Sequence, residues 1–194
     1  MIGKIQNIIL DSINLKTKLL DINICTQIYH ATNTCTMAIN SGNSIYFCGN
    51  GGSSSDSSHL AAELSGKFYI DRRPLPAQAL HTNTAYLTAV ANDYGYDLIY
   101  SRLITALGKS GDVLFGLSTS GKSKNIINAF EAAKKQGLYT IGLSGENGFV
   151  DESSCDLVIK VPSTDTPRIQ ECHLMIGHII CQLIEESIIN DSLL

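Results

Sequence analysis

Five short apolar runs, each fenced by turn-forming residues and separated by stretches of helical spacing, constrain this chain more than any other feature. They are SIYFC (44–48), PAQAL (76–80), VLFGLS (113–118), YTIGLS (139–144) and LVIKV (157–161). Apolar and β-branched content, with Gly, Pro, Asn, Asp or Ser at the borders, marks them as buried strands. Helical patterns fill residues 54–67, 84–91, 98–107, 122–136 and 166–189, and the first 42 residues hold two more helical segments that divide near DINIC. Strands that alternate with helices require βαβ crossovers. The expected fold is therefore α/β: a three-layer α/β/α sandwich around a five-stranded, mainly parallel sheet, with extra helices at the N-terminus.

No linker or internal repeat divides the 194 residues, so one domain is expected, with residues 1–42 as a helical extension used in oligomer packing. A charged content of 16% against 44% hydrophobic leaves surface for such an interface. The net charge of −4, with scattered basic residues, lacks the footprint of a protein that neutralises a nucleic-acid backbone. MIGKIQNIILDS has no apolar signal core, and the longest apolar stretch, LMIGHIICQLI, is interrupted by His178 and Gln182. A cytoplasmic protein, neither exported nor membrane-spanning, is expected. Cys25, Cys35, Cys48, Cys155, Cys172 and Cys181 form no C-x-x-C pair, which favours free buried thiols over disulfides or a thiolate metal site.

In open parallel sheets, ligands bind beyond the carboxyl ends of the strands, where loops lead into helix N-termini. Two such loops stand out, and both should face one crevice. GNGGSSSD (49–56) follows the first strand, and its glycines allow close backbone approach while the helix start offers unpaired N–H groups. An ordinary serine-capped turn would look the same. STSGKS (118–123) follows the third strand and adds hydroxyls to a helix start, which suits an anion without requiring much positive charge.

Gly116 to Ser123, GLSTSGKS, also matches the G-x-x-x-x-G-K-S nucleotide loop letter for letter. Gly116 nevertheless falls inside the strand run, and the later strands finish TIGLS and VIKVP without the Asp that a magnesium site needs. Nucleotide hydrolysis is set aside on that ground.

DSSHLAAEL (56–64) places His59 and Glu63 four residues apart on one helix face, about 5–6 Å between Cβ atoms. An imidazole and a carboxylate so placed can share a divalent metal, act as acid and base, or merely bond at a surface. In the last helix, His173 and His178 lie among apolar residues, as satisfied core histidines often do, and spacing alone would pair Glu171 with His178.

Together, CGNGGSSSDSSHLAAELSGKF (48–68), AVANDYGYDLIYSR (89–102), GDVLFGLSTSGKS (111–123) and RIQECHLMIGHIICQLIE (168–185) resemble the phosphoheptose isomerases, bacterial members of the sugar-isomerase (SIS) domain superfamily, which has a flavodoxin-like fold. The resemblance implies an aldose–ketose isomerase. Its substrates would be sedoheptulose 7-phosphate and D-glycero-D-manno-heptose 7-phosphate, at the entry to the heptoses of lipopolysaccharide and other surface polysaccharides. It further implies a cytoplasmic homotetramer with one zinc per subunit. By similarity, His59, Glu63, Gln170 and His178 fall on the metal positions, with Glu63 and His178 on the acid/base pair. Ser118, Thr119, Ser120 and Ser123 fall on the phosphate loop, and Asn50, Gly51, Gly52, Asn92 and Asp93 on sugar contacts, with Glu63 and Gln170 also touching substrate.

Gln170 and His178 are eight residues apart, a rise of about 12 Å along a helix, so they would approach one metal from opposite directions. Lys67 stands where the family generally has arginine, which keeps the charge and loses the planar fork. Pro167 lies just before the Gln-bearing segment, at a position that varies in the family. Two other readings compete: a non-catalytic adaptor resembling the replication-initiator-associating protein, and an isomerase of another sugar phosphate such as arabinose 5-phosphate. The presence of both Glu63 and His178 favours an enzyme, and 194 residues leave no room for the added domains usual in the second.

Overall fold

The computed structural model describes residues 1–191. Strands β1 (Ile45–Gly49), β2 (Ala77–Ala79), β3 (Val113–Ser118), β4 (Tyr139–Ser144) and β5 (Leu157–Lys160) form one sheet in the order β2-β1-β3-β4-β5. Every pairing is parallel. The helices are α1 (Ile2–Lys18), α2 (Ile22–Asn40), α3 (Gly52–Ser65), α4 (Thr84–Tyr94), α5 (Ile99–Leu107), α6 (Lys124–Lys135) and α7 (Thr166–Asp191). This is the doubly wound, flavodoxin-like order, whose switch point lies between β1 and β3.

The two-residue period of the strands builds the layers. Ile45 and Phe47 of β1, with Val113, Phe115 and Leu117 of β3, pack under α1, α2, α3 and α7. Tyr46 and Cys48, with Leu114, pack under α4, α5 and α6. Gly116 faces this second layer, where a Cβ would fall 2.4 Å from Phe130 Cζ. The first glycine of GLSTSGKS therefore serves helix packing, which is the physical reason the nucleotide-loop match fails.

Element boundaries move little from expectation. The α1/α2 break falls at Leu19–Asp21, where the Asp21 carboxylate accepts from Asn23 N at 2.9 Å and caps α2. β2 is a three-residue edge strand, preceded by Pro76. Cys25 is exposed and the other cysteines are buried, all as free thiols. Residues 166–189 hold an 18-residue window apolar enough to cross a membrane, with a mean hydropathy of 1.3, yet half of that window is buried inside the protein. Its Ile169, Ile176, Ile180 and Ile184 belong to the core under the sheet.

α3 and α7 lie side by side and run the same way. Gly52 meets Gln170, His59 meets His178, Leu60 meets Gly177, and the segment after α3 meets Glu185, so contacts advance together along both helices. Gly177 makes the approach close: a Cβ there would sit 2.5 Å from both Leu60 methyl carbons.

The segment leaving α3 is clamped by a buried carboxylate. Glu185 accepts from the backbone N–H groups of Phe68 (3.0 Å), Tyr69 (2.7 Å) and Ile70 (3.1 Å). Arg72 Nε lies 2.9 Å from Glu185 Oε1, a charge contact too bent for a hydrogen bond, with side chains 4% and 1% exposed. The other Arg72 nitrogens donate to the carbonyls of Glu63, Leu64 and Gly66, which caps the C-terminal end of α3 with a cation. Burial pushes the Glu185 carboxyl up, but the three N–H donors and Arg72 outweigh it and hold it below its ordinary value.

Three outcomes follow from this packing. Arg72→Met should lower the unfolding free energy in urea by about 3 kcal/mol, because it leaves a buried carboxylate without its charge partner. Since the folded Glu185 titrates below its unfolded value of 4.5, its contribution is complete above that pH and is lost as pH falls through the depressed value; Glu185→Gln should flatten this acid limb of the stability profile. Gly177→Val should part α3 from α7 and lower the melting temperature.

Candidate functional site

The loops after β1 and β3 leave the sheet side by side, since Gly49 pairs in register with Leu117. Gly51, at φ +55, turns the chain into α3, a conformation natural only to glycine. Asn50 then ties the two loops together: its Nδ2 donates to Asn125 Oδ1 at 2.9 Å, and Asn125 Nδ2 donates back to Asn50 Oδ1 at 2.8 Å. Tyr96 Oη also donates to Asn50 Oδ1, at 3.0 Å. Both loops thus lie side by side at the carboxyl edge of the sheet.

At the α3/α7 contact, His59 Nε2 lies 2.9 Å from His178 Nε2 and 3.1 Å from Glu63 Oε1. One ligand atom from each of the three residues falls within 4.8 Å of the others. A single N–H shared between two acceptors serves neither well, whereas a divalent cation would accept all three lone pairs at once. The donor set, two imidazole nitrogens and a carboxylate oxygen, suits zinc. The side chains of His59 and Glu63 are 47% and 24% exposed, so the group faces solvent and can admit a ligand. The Phe68 ring packs 5.6 Å from that of His178, and the clamp on Glu185 holds this aromatic in place.

Gln170 enters one turn earlier along α3. Its amide lies against Gly52, where a Cβ would come within 2.4 Å of Nε2, and it bonds to Asp56. Asp56 is a buried carboxylate on the same α3 face as His59 and Glu63, and its Oδ2 has no hydrogen-bond partner among the described residues. Burial raises its pKa, while the Gln170 bond and the neighbouring His59 and His178 pull it partly back, leaving it above its ordinary value. Sequence reasoning passed over Asp56; its signal was the spacing of three and seven residues to His59 and Glu63.

In the second loop, Ser118 Oγ and Ser123 Oγ lie 3.0 Å apart. Gly121 N donates to Ser118 O at 3.1 Å, Lys122 N to Ser120 Oγ at 3.2 Å, and Gly145 N to Thr119 O at 3.1 Å. Lys122 and Ser120 are exposed. Asn92 and Asp93 are exposed at the end of α4, with Asn92 Nδ2 donating to Asp93 Oδ1 at 2.9 Å.

Spacing alone suggests Glu171 as the partner of His178, and the structure corrects this. Glu171 accepts from Ser12 Oγ at 2.7 Å and pairs with Arg168 at 2.9 Å, on the side of α7 that faces α1. His173 is a buried core histidine, with burial pushing its imidazole down to about 4. Lys67 is exposed just beyond α3, and Pro167 sits in the first turn of α7, where a proline costs no helical hydrogen bond.

Comparison with known proteins places these features in a family. The sequence profile described as the SIS domain matches residues 12–145. The phosphoheptose isomerase of a Nitratiruptor species is 52% identical over 161 residues, covering 83% of this chain and 86% of that one. The solved phosphoheptose isomerase of Francisella tularensis superposes with a TM-score of 0.91 at 32% identity, and that of Neisseria gonorrhoeae with 0.88 at 36%; each comparison covers 95% of this chain and 98% of the other. A shared fold, shared sequence over most of both chains and a His/Glu cluster at the helix pair agree: this chain belongs to the SIS-domain family and, within it, to the phosphoheptose isomerases.

Proposed function

We propose that this chain interconverts sedoheptulose 7-phosphate and D-glycero-D-manno-heptose 7-phosphate, supplying heptose for lipopolysaccharide or another surface polysaccharide. The observation that carries the reading is the convergence of His59, Glu63 and His178 on one point in a chain 52% identical to a phosphoheptose isomerase. A non-catalytic adaptor would have no use for that convergence.

Moving a carbonyl between C1 and C2 requires a base that takes a carbon-bound proton from one carbon so that one can be delivered to the other, an acid that shuttles the hydroxyl protons between O1 and O2, and stabilisation of the enediolate between them. Glu63 and His178 divide the proton transfers, within reach of the same two carbons. His59, Glu63, Gln170 and His178 would hold zinc, which when bound supplies Lewis acidity toward the O1 and O2 oxygens. Asn50, Gly51 and Gly52 line the sugar end, where the loop backbone turns into α3. Asn92 and Asp93 would contribute sugar contacts from α4. Ser118, Thr119, Ser120 and Ser123 hold the phosphate with hydroxyls and helix-start N–H groups. Anchoring the far end of the substrate orients the reacting end through remote binding energy.

The working form is a cytoplasmic homotetramer in which residues 1–42 pack between subunits. Supporting this, α1 exposes Ile2, Ile5, Ile9 and Ile13, and an apolar groove of about 270 Å³ runs between α2 and α7. Such a contiguous apolar surface is costly to leave in water.

Purified protein should carry about one zinc per chain, lose isomerase activity on chelation and regain it on adding zinc. Glu63→Gln should melt like the parent protein and lower kcat for sedoheptulose 7-phosphate by about 10²–10⁴-fold, while His59→Ala should lose the metal. Turnover by Glu63→Gln within twofold of the parent sinks the reading.

A further inference from the structure

Among the described residues His173 makes a single polar contact, and its path leads to the opposite end of the site. Ser144 closes β4 and pairs in register with Ser118, the first residue of the STSGKS loop. The buried Ser144 carbonyl accepts from Val161 N at 2.9 Å and lies 3.1 Å from His173 Nε2. A carbonyl can only accept, so Nε2 carries the proton and donates. The same peptide continues into Gly145 N–H, which donates to the Thr119 carbonyl at 3.1 Å. One peptide group thus joins α7 to the loop, with His173 on its oxygen and Thr119 on its N–H.

Donation into a carbonyl polarises the amide on its far side and strengthens the bond made there. That bond turns the Thr119 carbonyl back toward β4, away from an anion pocket where its negative end would repel the ligand. The packing is tight: a Cβ on Gly145 would lie 2.8 Å from Thr119 O and 2.8 Å from Ile169 Cδ1 of α7. His173 is 0% exposed, and its Nδ1 has no partner among the described residues. An apolar side chain would fill the same space without an orphaned nitrogen; only the imidazole supplies the donor for Ser144.

We infer that His173 is a positioning residue, which sets the phosphate loop through the Ser144–Gly145 peptide so that one helix fixes both ends of the substrate. Gln170 and His178 lie on that helix three residues before and five after it. The inference rests on the assignment of residues 118–123 to the phosphate.

Steady-state kinetics of the zinc-loaded enzyme with sedoheptulose 7-phosphate, and competition by inorganic phosphate, test it. His173→Leu should raise both the KM and the phosphate inhibition constant about tenfold, with kcat within about threefold and zinc content unchanged. His173→Gln, whose amide N–H reaches the position of Nε2, should recover most of the loss. If His173→Leu does not accumulate as folded protein, His173→Asn, whose amide stops short of Ser144, carries the same expectation. Unchanged KM and phosphate inhibition in the donor-less variants, or a Gln variant as impaired as they are, overturns the inference. Failure of phosphate to compete in the parent enzyme overturns the loop assignment, and with it the role of His173. Weakened phosphate binding in the parent on Ser120→Ala shows that the assignment itself stands.

Discussion

The close parallel contact of α3 and α7 is the constraint on which the rest of the site depends. Helices that meet through side chains usually keep their axes about 8–10 Å apart. Here small residues face the partner at two levels, Gly52 against Gln170 and Gly177 against Leu60. His178 follows Gly177 directly and meets His59, the neighbour of Leu60, at 2.9 Å. Glu63, one turn further along α3, completes the group. A side chain at either glycine would press on its partner helix before the histidines could meet. The same contact keeps Asp56 beside Gln170 under the cluster, a buried carboxylate held partly by its neighbours' charges.

Polar groups are placed around this contact with little net charge. Glu185 and Arg72 are spent on backbone: one gathers three N–H groups beyond α3, and the other gathers carbonyls at its end. They close a frame behind Phe68, which packs on His178. The Asn50–Asn125 amide pair fixes the separation of the two loops without a charge. At the far side, the Ser144–Gly145 peptide carries the position of α7 into the loop after β3. The sheet edge, α3 and α7 therefore hold the two loops and the His/Glu cluster in one frame.

Much of this was legible in the sequence where the determinants are local. The strand runs and their turn residues specify the sheet, and the strand position of Gly116 already argued against a nucleotide loop. His59 and Glu63 were visible because both lie on one helix, four residues apart. Gln170 and His178 were not, because their use depends on α7 running alongside α3, a tertiary alignment that no spacing within α7 encodes; periodicity instead pointed to Glu171, which α1 claims through Ser12. Asp56 lies within the expected helix but at the end of the GNGGSSSD stretch, where the serines and glycines drew attention to the loop; α3 in fact begins at Gly52. Asn92 and Asp93 rested on family resemblance alone, and in the structure they bond to one another.

The central claim is that this helix pair performs proton transfer through an enediolate in a sugar phosphate. The most direct measurement is isomerisation of sedoheptulose 7-phosphate in D2O by the zinc-loaded protein, with the aldose product read by NMR. Deuterium at C2 of the product is the result the account predicts, because the proton delivered there passes through exchangeable side chains. No product at all, or product with no solvent deuterium at C2 that Glu63→Gln forms as fast as the parent, would contradict it.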